Sequence, residues 1–288
     1  MTHTIDTQTQ LCCVIGNPVG HSMSPAIHNA AFQALGLNYV YLAFNVEQLG
    51  GALTGMRALP GFRGMSVTIP HKQAIMEHLD VIDPMAMHIG SVNTVTCDED
   101  GRLIGTSTDG PGTIRAFEDA GVVLKGKEVV FLGAGGAVRA VAYAMADAEV
   151  GSIRILGRNL EKVEVLVADL ARDFEVPVAA GTFEADLESA VGGADILIQG
   201  TPMGMHPHHV GESVVPAALL KKDHVVFDMV YNPLRTQLIE DAEAAGCTCI
   251  LGLEMLVNQA LLQFETWTGV DAPRTVMRDA LLAHLEGK

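Results

Sequence analysis

Short apolar runs alternate along this chain with longer stretches in which apolar residues return at helical spacing. In the first hundred residues the pattern predicts strand Leu11–Ile15, helix Ser24–Leu35, strand Tyr39–Val46, helix Gln48–Leu59, strand Gly64–Thr68 and helix Gln73–Leu79. A hairpin follows, Val92–Cys97 and Arg102–Gly105 about the turn Asp98-Glu99-Asp100-Gly101. Ser24 suits the N-cap of its helix, Pro25 the first helical position and Gly36 the stop. The middle of the chain is more regular. Strands are predicted at Val129–Leu132, Ile153–Leu156, Val176–Ala179, Ile196–Gln199 and Val225–Met229, with helices near 136–148, 160–172, 184–190 and 235–245. Predominantly apolar strands in βα alternation predict a parallel, doubly wound sheet. The tail, Leu253–Trp267 and Arg274–Leu285, reads as two helices that return to pack on the first domain.

Between the strand ending at Leu132 and the next helix lies Gly133-Ala134-Gly135-Gly136-Ala137. Strand, glycine loop and helix together let backbone N–H groups approach a pyrophosphate at a helix N-terminus. The match is to G-x-G only, because Val138 stands where the third glycine of the dinucleotide fingerprint would fall. A dinucleotide domain beginning near residue 110 leaves the preceding residues to hold a substrate.

Length and charge narrow the function. The 288 residues suffice for two domains with a buried core. A net charge of −16 excludes the basic footprint that nucleic-acid binding needs. Any anionic ligand must then be met by local positive charge or helix dipoles. The polar stretch Met1–Gln10 lacks the build of a signal peptide, and no apolar run spans a bilayer, so a cytoplasmic enzyme without membrane attachment is expected. Five cysteines, at 12, 13, 97, 247 and 249, include no C-x-x-C and read as reduced packing residues. The cluster His206-Pro207-His208-His209 reads as solvated loop histidines, and no metal is expected.

Candidate chemistry gathers at strand ends. Gly16-Asn17-Pro18-Val19-Gly20-His21-Ser22-Met23-Ser24 joins a strand to a helix start, where two hydroxyls beside free N–H groups suit a carboxylate. Val67-Thr68-Ile69-Pro70-His71-Lys72 runs off the carboxyl end of a strand, where ligands of α/β units collect. Asp109 lies in a glycine-rich junction just before the dinucleotide segment.

Taken together, these blocks resemble the shikimate dehydrogenase family. The resemblance rests on Gly16 to Asn29, Val67-Thr68-Ile69-Pro70-His71-Lys72, Gly90-Ser91-Val92-Asn93-Thr94, Thr108-Asp109-Gly110, Gly133 to Ala137, Asp228-Met229-Val230-Tyr231-Asn232-Pro233 and Gly252 to Ala260. It implies an N-terminal α/β substrate domain (1–109 with 252–288) and a Rossmann-like NADP domain (110–251). The implied reaction is reversible reduction of 3-dehydroshikimate to shikimate. Lys72 and Asp109 match the catalytic pair; Ser22 and Ser24, helped by Tyr231, match the hydroxyls that hold the substrate carboxylate. Thr68, Asn93 and Gln259 match residues that hold the ring, and Gly133, Ala134, Gly135, Gly136, Ala137, Arg158, Lys162, Thr201, Met229 and Gly252 match cofactor contacts. A homodimer is compatible with the resemblance. Ser66, Ser107 and Ser91 depart from the asparagines and the alanine usual there, which bears on substrate range rather than on reaction type.

The second strand of the dinucleotide segment ends in Leu156-Gly157-Arg158-Asn159, without the acid that would mark an NAD ribose. Arg158, with Lys162 one helical step on, favours NADP. Two other readings stay open, an NAD-using quinate or dual quinate/shikimate dehydrogenase and a metabolite sensor without turnover; another dehydrogenase with a similar nucleotide domain fails on the Ser22/Ser24 and Val67-to-Lys72 blocks.

Overall fold

A computed structural model of the chain describes residues 5–286. The polar leader expected over Met1–Gln10 therefore falls partly outside them, at residues 1–4. Two compact units emerge: one from the residues up to Thr108 and from Gln259 onward, the other from Asp109 to Asn258. Among the described residues no helix is long and apolar enough to cross a membrane.

The first unit contains β1 (Gln10–Gly16), α1 (Ser24–Leu35), β2 (Tyr39–Asn45), α2 (Leu49–Arg57), β3 (Phe62–Val67), α3 (His71–Ala74), β4 (Val81–Ile82), α4 (Pro84–Ile89), β5 (Thr94–Cys97) and β6 (Leu103–Thr106). Their sheet runs β2-β1-β3-β5-β6-β4. β1 lies parallel to β2 and β3, while β5 is antiparallel to both β3 and β6. Cys13, Ile15, Met65, Val67 and Val95 fill one core with Leu53 and Ile75. Cys12 faces the other way, in register with Tyr41, as the alternation of strand side chains requires. Burial raises both thiols far above their ordinary range, which keeps them protonated packing groups.

An aromatic layer packs in the same unit. His28 stacks on Tyr41 with ring centres 4.5 Å apart, and Trp267 lies 5.3 Å from His28. Trp267 Nε1 donates to the Val95 carbonyl at 3.0 Å. Gly64 makes that seat possible, since a Cβ there would collide with the indole and with Val95 O. Gly64→Ala is therefore expected to destabilise the protein by roughly 1–3 kcal/mol through overpacking. An unchanged melting temperature for that variant would contradict this packing.

The second unit holds α5 (Asp109–Asp119), β7 (Glu128–Leu132), α6 (Gly136–Asp147), β8 (Ser152–Gly157), α7 (Leu160–Asp173), β9 (Val178–Thr182), α8 (Phe183–Gly193), β10 (Ile196–Gln199), β11 (Val225–Asp228), α9 (Gln237–Ala244) and β12 (Thr248–Leu251). α10 (Gly252–Thr268) carries the chain back to the first unit, where α11 (Arg274–Glu286) follows. All six strands are parallel, in the order β12-β11-β10-β7-β8-β9. Counted from β7, this is the doubly wound order of dinucleotide folds, with the switch point between β7 and β10.

Several elements differ from the sequence expectation. α5 was not anticipated, because Asp109-Gly110-Pro111-Gly112 has poor helix propensity. Proline is tolerated in a first turn, and packing requires Gly110: a Cβ there would lie 2.9 Å from Ala140 O and 2.8 Å from Ala144 Cβ. The helix predicted at Gln73–Leu79 is instead α3 followed by a 3-10 turn, Ile75–His78. Ser24 is not the N-cap of α1. Met23 holds that position and Ser24 is the first helical residue, its N–H donating to the upstream Ser22 hydroxyl at 3.3 Å.

Candidate active site and nucleotide cradle

In the first unit, backbone pairing assembles the predicted residues around the carboxyl ends of β1 and β3. Thr68 N donates to Ile15 O at 3.0 Å, and Asn17 N donates to Ile69 O at 3.0 Å. Gly16 permits this approach, since a Cβ there would meet Thr68 Cγ2 at 2.5 Å. The loop leaving Gly16 then reaches Ser22 and Ser24, both half-buried at the start of α1. Lys72, also half-buried, accepts on its carbonyl from Val92 N at 2.8 Å, and Asn93 O accepts from Val67 N at 2.7 Å. Thr68, Lys72 and Asn93 thereby meet at one strand end. His71 anchors the turn, its ring Nε2 bonding the Val46 carbonyl at 2.8 Å. Gln259 is buried on α10, one turn before Gln263 on the same helix face. Ser66 faces away from this corner and bonds Tyr41 and Gln263 inside the unit.

In the second unit, Asp109 heads α5, and its carbonyl accepts from Thr113 Oγ1 at 2.9 Å. Gly133 turns with φ 116°, in the region that favours glycine, and a Cβ there would meet Gly200 and Thr201 at 3.1 Å. Gly135 is the cap of α6 with no side-chain bond, while Gly136 and Ala137 are exposed. No atom lies within 4 Å of where a Cβ would stand on Gly135 or Gly136. Those features form a bare helix N-terminus with open space above its amides. Val138 occupies the third-glycine position, and the space it needs comes from Gly200 instead, where a Cβ would collide with its side chain. Close helix–strand packing is preserved by moving the glycine to the facing strand end.

Gln199 builds the neighbouring loop. Its amide donates to Thr201 O and Met203 O at 3.0 Å, and its oxygen accepts from Thr201 N at 2.7 Å. Thr201 is fixed from below, and Met229 N joins the same strand end by donating to Gln199 O at 2.9 Å. Gly252 starts α10 against the carbonyls of residues 228–230, where a Cβ would lie 2.6–2.8 Å from them. Arg158 is exposed just beyond β8, and Asn159 caps α7 by accepting from Lys162 N at 3.0 Å. Tyr231 is half-buried, and burial raises its hydroxyl above the ordinary range. In the histidine loop, His209 bonds Glu212 at 2.9 Å.

Asp228 holds the loop that carries Met229 and Tyr231. Its carboxylate accepts from Val230 N at 3.0 Å and from Thr236 Oγ1 at 2.5 Å. Burial pushes the carboxyl up to about 6, and these two bonds offset only part of that shift. Below the unfolded-state value of 3.8 both states carry the proton, and between there and about 6 only the folded state does. Stability from this group therefore falls as pH rises through that window. Relative to Asp228→Asn, the wild type is expected to lose roughly 2–3 kcal/mol between pH 4 and pH 7. Chemical denaturation at both pH values measures it, and a pH-independent difference would refute it.

Known proteins share this arrangement. Residues 14–95 match the shikimate dehydrogenase substrate binding domain, residues 116–230 the shikimate / quinate 5-dehydrogenase family, and residues 252–282 the shikimate 5'-dehydrogenase C-terminal domain. A shikimate dehydrogenase (NADP(+)) from Methanopyrus kandleri is 46% identical over 98% of both chains. The chain belongs to the shikimate dehydrogenase family. Among solved structures, a shikimate dehydrogenase in complex with NADP+ superimposes with TM-score 0.91 at 42% identity, covering 98% of each chain. The shikimate 5-dehydrogenase of Listeria monocytogenes, in complex with shikimate and NAD, gives TM-score 0.92 at 36% identity over 98% of this chain and 99% of that one. The residues present fit a dinucleotide: an uncapped helix N-terminus, open space at Gly135 and Gly136, and an exposed arginine after β8.

Proposed function

We propose that this chain interconverts 3-dehydroshikimate and shikimate with NADP, the first unit holding the substrate and the second the cofactor. The observation that carries the reading is the meeting of Thr68, Lys72 and Asn93 at the end of β3, beside the Ser22–Ser24 corner. Ser22 and Ser24, with Tyr231, take the substrate carboxylate; Thr68, Asn93 and Gln259 take ring oxygens. Gly133, Ala134, Gly135, Gly136 and Ala137 receive the pyrophosphate, Arg158 and Lys162 the 2'-phosphate, and Thr201, Met229 and Gly252 flank the reacting end. When bound, the cofactor supplies the hydride to the ketone carbon or takes it back from the alcohol. Lys72 holds its ammonium at the oxygen where negative charge develops and delivers the proton there. Asp109 is the second member of the proposed acid–base pair. A cytoplasmic location is expected with this reading, and a homodimer is compatible with it.

Initial rates with shikimate and quinate, each with NADP and with NAD, test it directly. Fast turnover is expected for shikimate with NADP. Preference for quinate with NAD would replace the reading by its quinate-type alternative, and no turnover of any pair would leave a sensor. Within the site, Ser22→Ala is expected to weaken shikimate binding by about 1–3 kcal/mol, the size of a hydrogen bond to a charged group. NADP affinity should not change. Calorimetric titration of both ligands separates these outcomes, and an equal loss for the two would place the carboxylate elsewhere.

A further inference from the structure

A buried chain of side chains runs behind Asn93. Tyr41 OH donates to Ser66 Oγ at 2.6 Å, and Ser66 donates to Gln263 Oε1 at 2.8 Å. Gln263 Nε2 donates to Thr94 Oγ1 at 2.9 Å, and Thr94 donates to Asn93 Oδ1 at 2.7 Å. Asn93 Oδ1 also accepts from Thr108 N at 2.8 Å and from Thr108 Oγ1 at 3.2 Å. None of these residues is more than 9% exposed, so water does not substitute for a missing partner. Every bond runs in the same direction, toward the Asn93 oxygen.

The Thr108 backbone N–H can only donate, so the acceptor end of the Asn93 amide must face it. The chain from Gln263 supports the same choice: the Thr94 hydroxyl accepts from Gln263 and gives its proton to Asn93 Oδ1 at 2.7 Å, nearer than Thr108 Oγ1 at 3.2 Å. We infer that Gln263 is a positioning residue that, through Thr94, locks the Asn93 amide with its oxygen inward and its NH2 group outward, making Asn93 an obligate hydrogen-bond donor to a ligand oxygen. Selectivity follows from that polarity. A substrate ring must offer an acceptor to Asn93, and a ring that offers only a donor there leaves two donors facing each other. Gln263 also contacts the Asn93 carbonyl at 3.4 Å, so it holds both the backbone and the orientation of this residue.

This inference rests on the proposed shikimate site for its ligand but not for its geometry, and the two are tested apart. Asn93→Asp keeps an oxygen for all three inward donors and turns the outward group from donor to acceptor. It is expected to fold and melt like the wild type while losing shikimate affinity by at least tenfold, roughly the effect of one charge-assisted bond. Gln263→Met should raise the Kd for shikimate about fivefold and leave NADP affinity unchanged. In the Asn93→Asp background it should add nothing, since coupled residues deviate from additivity. Additive losses in this cycle would overturn the positioning role. Ser66→Ala, which removes the donor to Gln263 Oε1 together with the acceptor of the Tyr41 hydroxyl, serves in its place if Gln263→Met fails to fold. Nitrogen-15 NMR of the Asn93 side chain, assigned by its disappearance in Asn93→Asp, reads orientation without any ligand. Slow amide rotation in the wild type and faster rotation in Gln263→Met are expected; equal rotation would refute the lock. If the wild type neither binds nor turns over shikimate, the functional reading fails while the NMR result still decides the inference.

Discussion

Lys72→Ala is expected to lower kcat by about 10²–10⁴-fold, the range for losing a positioned acid–base group. Shikimate KM should change far less. The separation follows from where the ammonium acts: the ketone oxygen is neutral in the bound substrate and gains charge only as the hydride arrives, so the lost interaction is one made in the transition state. Structural damage should be small. The turn carrying Lys72 is held by its own backbone, through Lys72 O with Val92 N, and by the neighbouring His71 ring on Val46. Steady-state kinetics with a melting curve on the same sample distinguish the outcomes. A folded variant with near-normal kcat would remove Lys72 from the chemistry, and a large rise in KM at constant kcat would make it a binding residue only.

Substituting Arg158 by alanine should shift the preference for NADP over NAD by about 10²-fold, nearly all of it through KM for NADP. Only NADP carries a phosphate on the adenosine ribose, and charge-assisted bonds to that group are the stronger kind. Arg158 stands exposed at the end of β8, where the second strand of this fold meets the ribose. Lys162 lies on the first turn of α7, and Asn159 fixes that turn by accepting the Lys162 N–H. Added salt should weaken wild-type binding of NADP more than of NAD, because an exposed ion pair is screened. Equal effects of Arg158→Ala on both cofactors would show that the residue supports the fold and does not read the phosphate.

The amino-acid sequence by itself determined the elements and the chemistry they carry. Apolar strands such as Ile196–Gln199, set between helical stretches, are written in neighbouring residues, and their parallel pairing follows from the crossovers. Gly133 and Gly135 are legible too, since the conformation of a tight turn depends on the residue itself. So was the choice of residue types at the strand ends, where Lys72 and Asn93 stand in short contiguous blocks.

Tertiary structure decided what depends on partners remote in sequence. Asp109–Asp119 is a helix although it opens with Gly-Pro-Gly, because packing against Ala140 and Ala144 outweighs local propensity and needs a residue without a side chain. Val138 fits at the third-glycine position because Gly200 yields the space. Ser24 heads α1 without capping it, and the Ser22 hydroxyl accepts its N–H. Ser66 is the clearest case: read from the sequence, its shorter side chain bears on the substrate, yet in the fold it turns inward to Gln263, 197 residues away. Hydrogen-bond direction is a property of pairs. Only the sheet that brings β2, β3 and β5 under α10 turns the Asn93 oxygen toward Thr94 and Thr108.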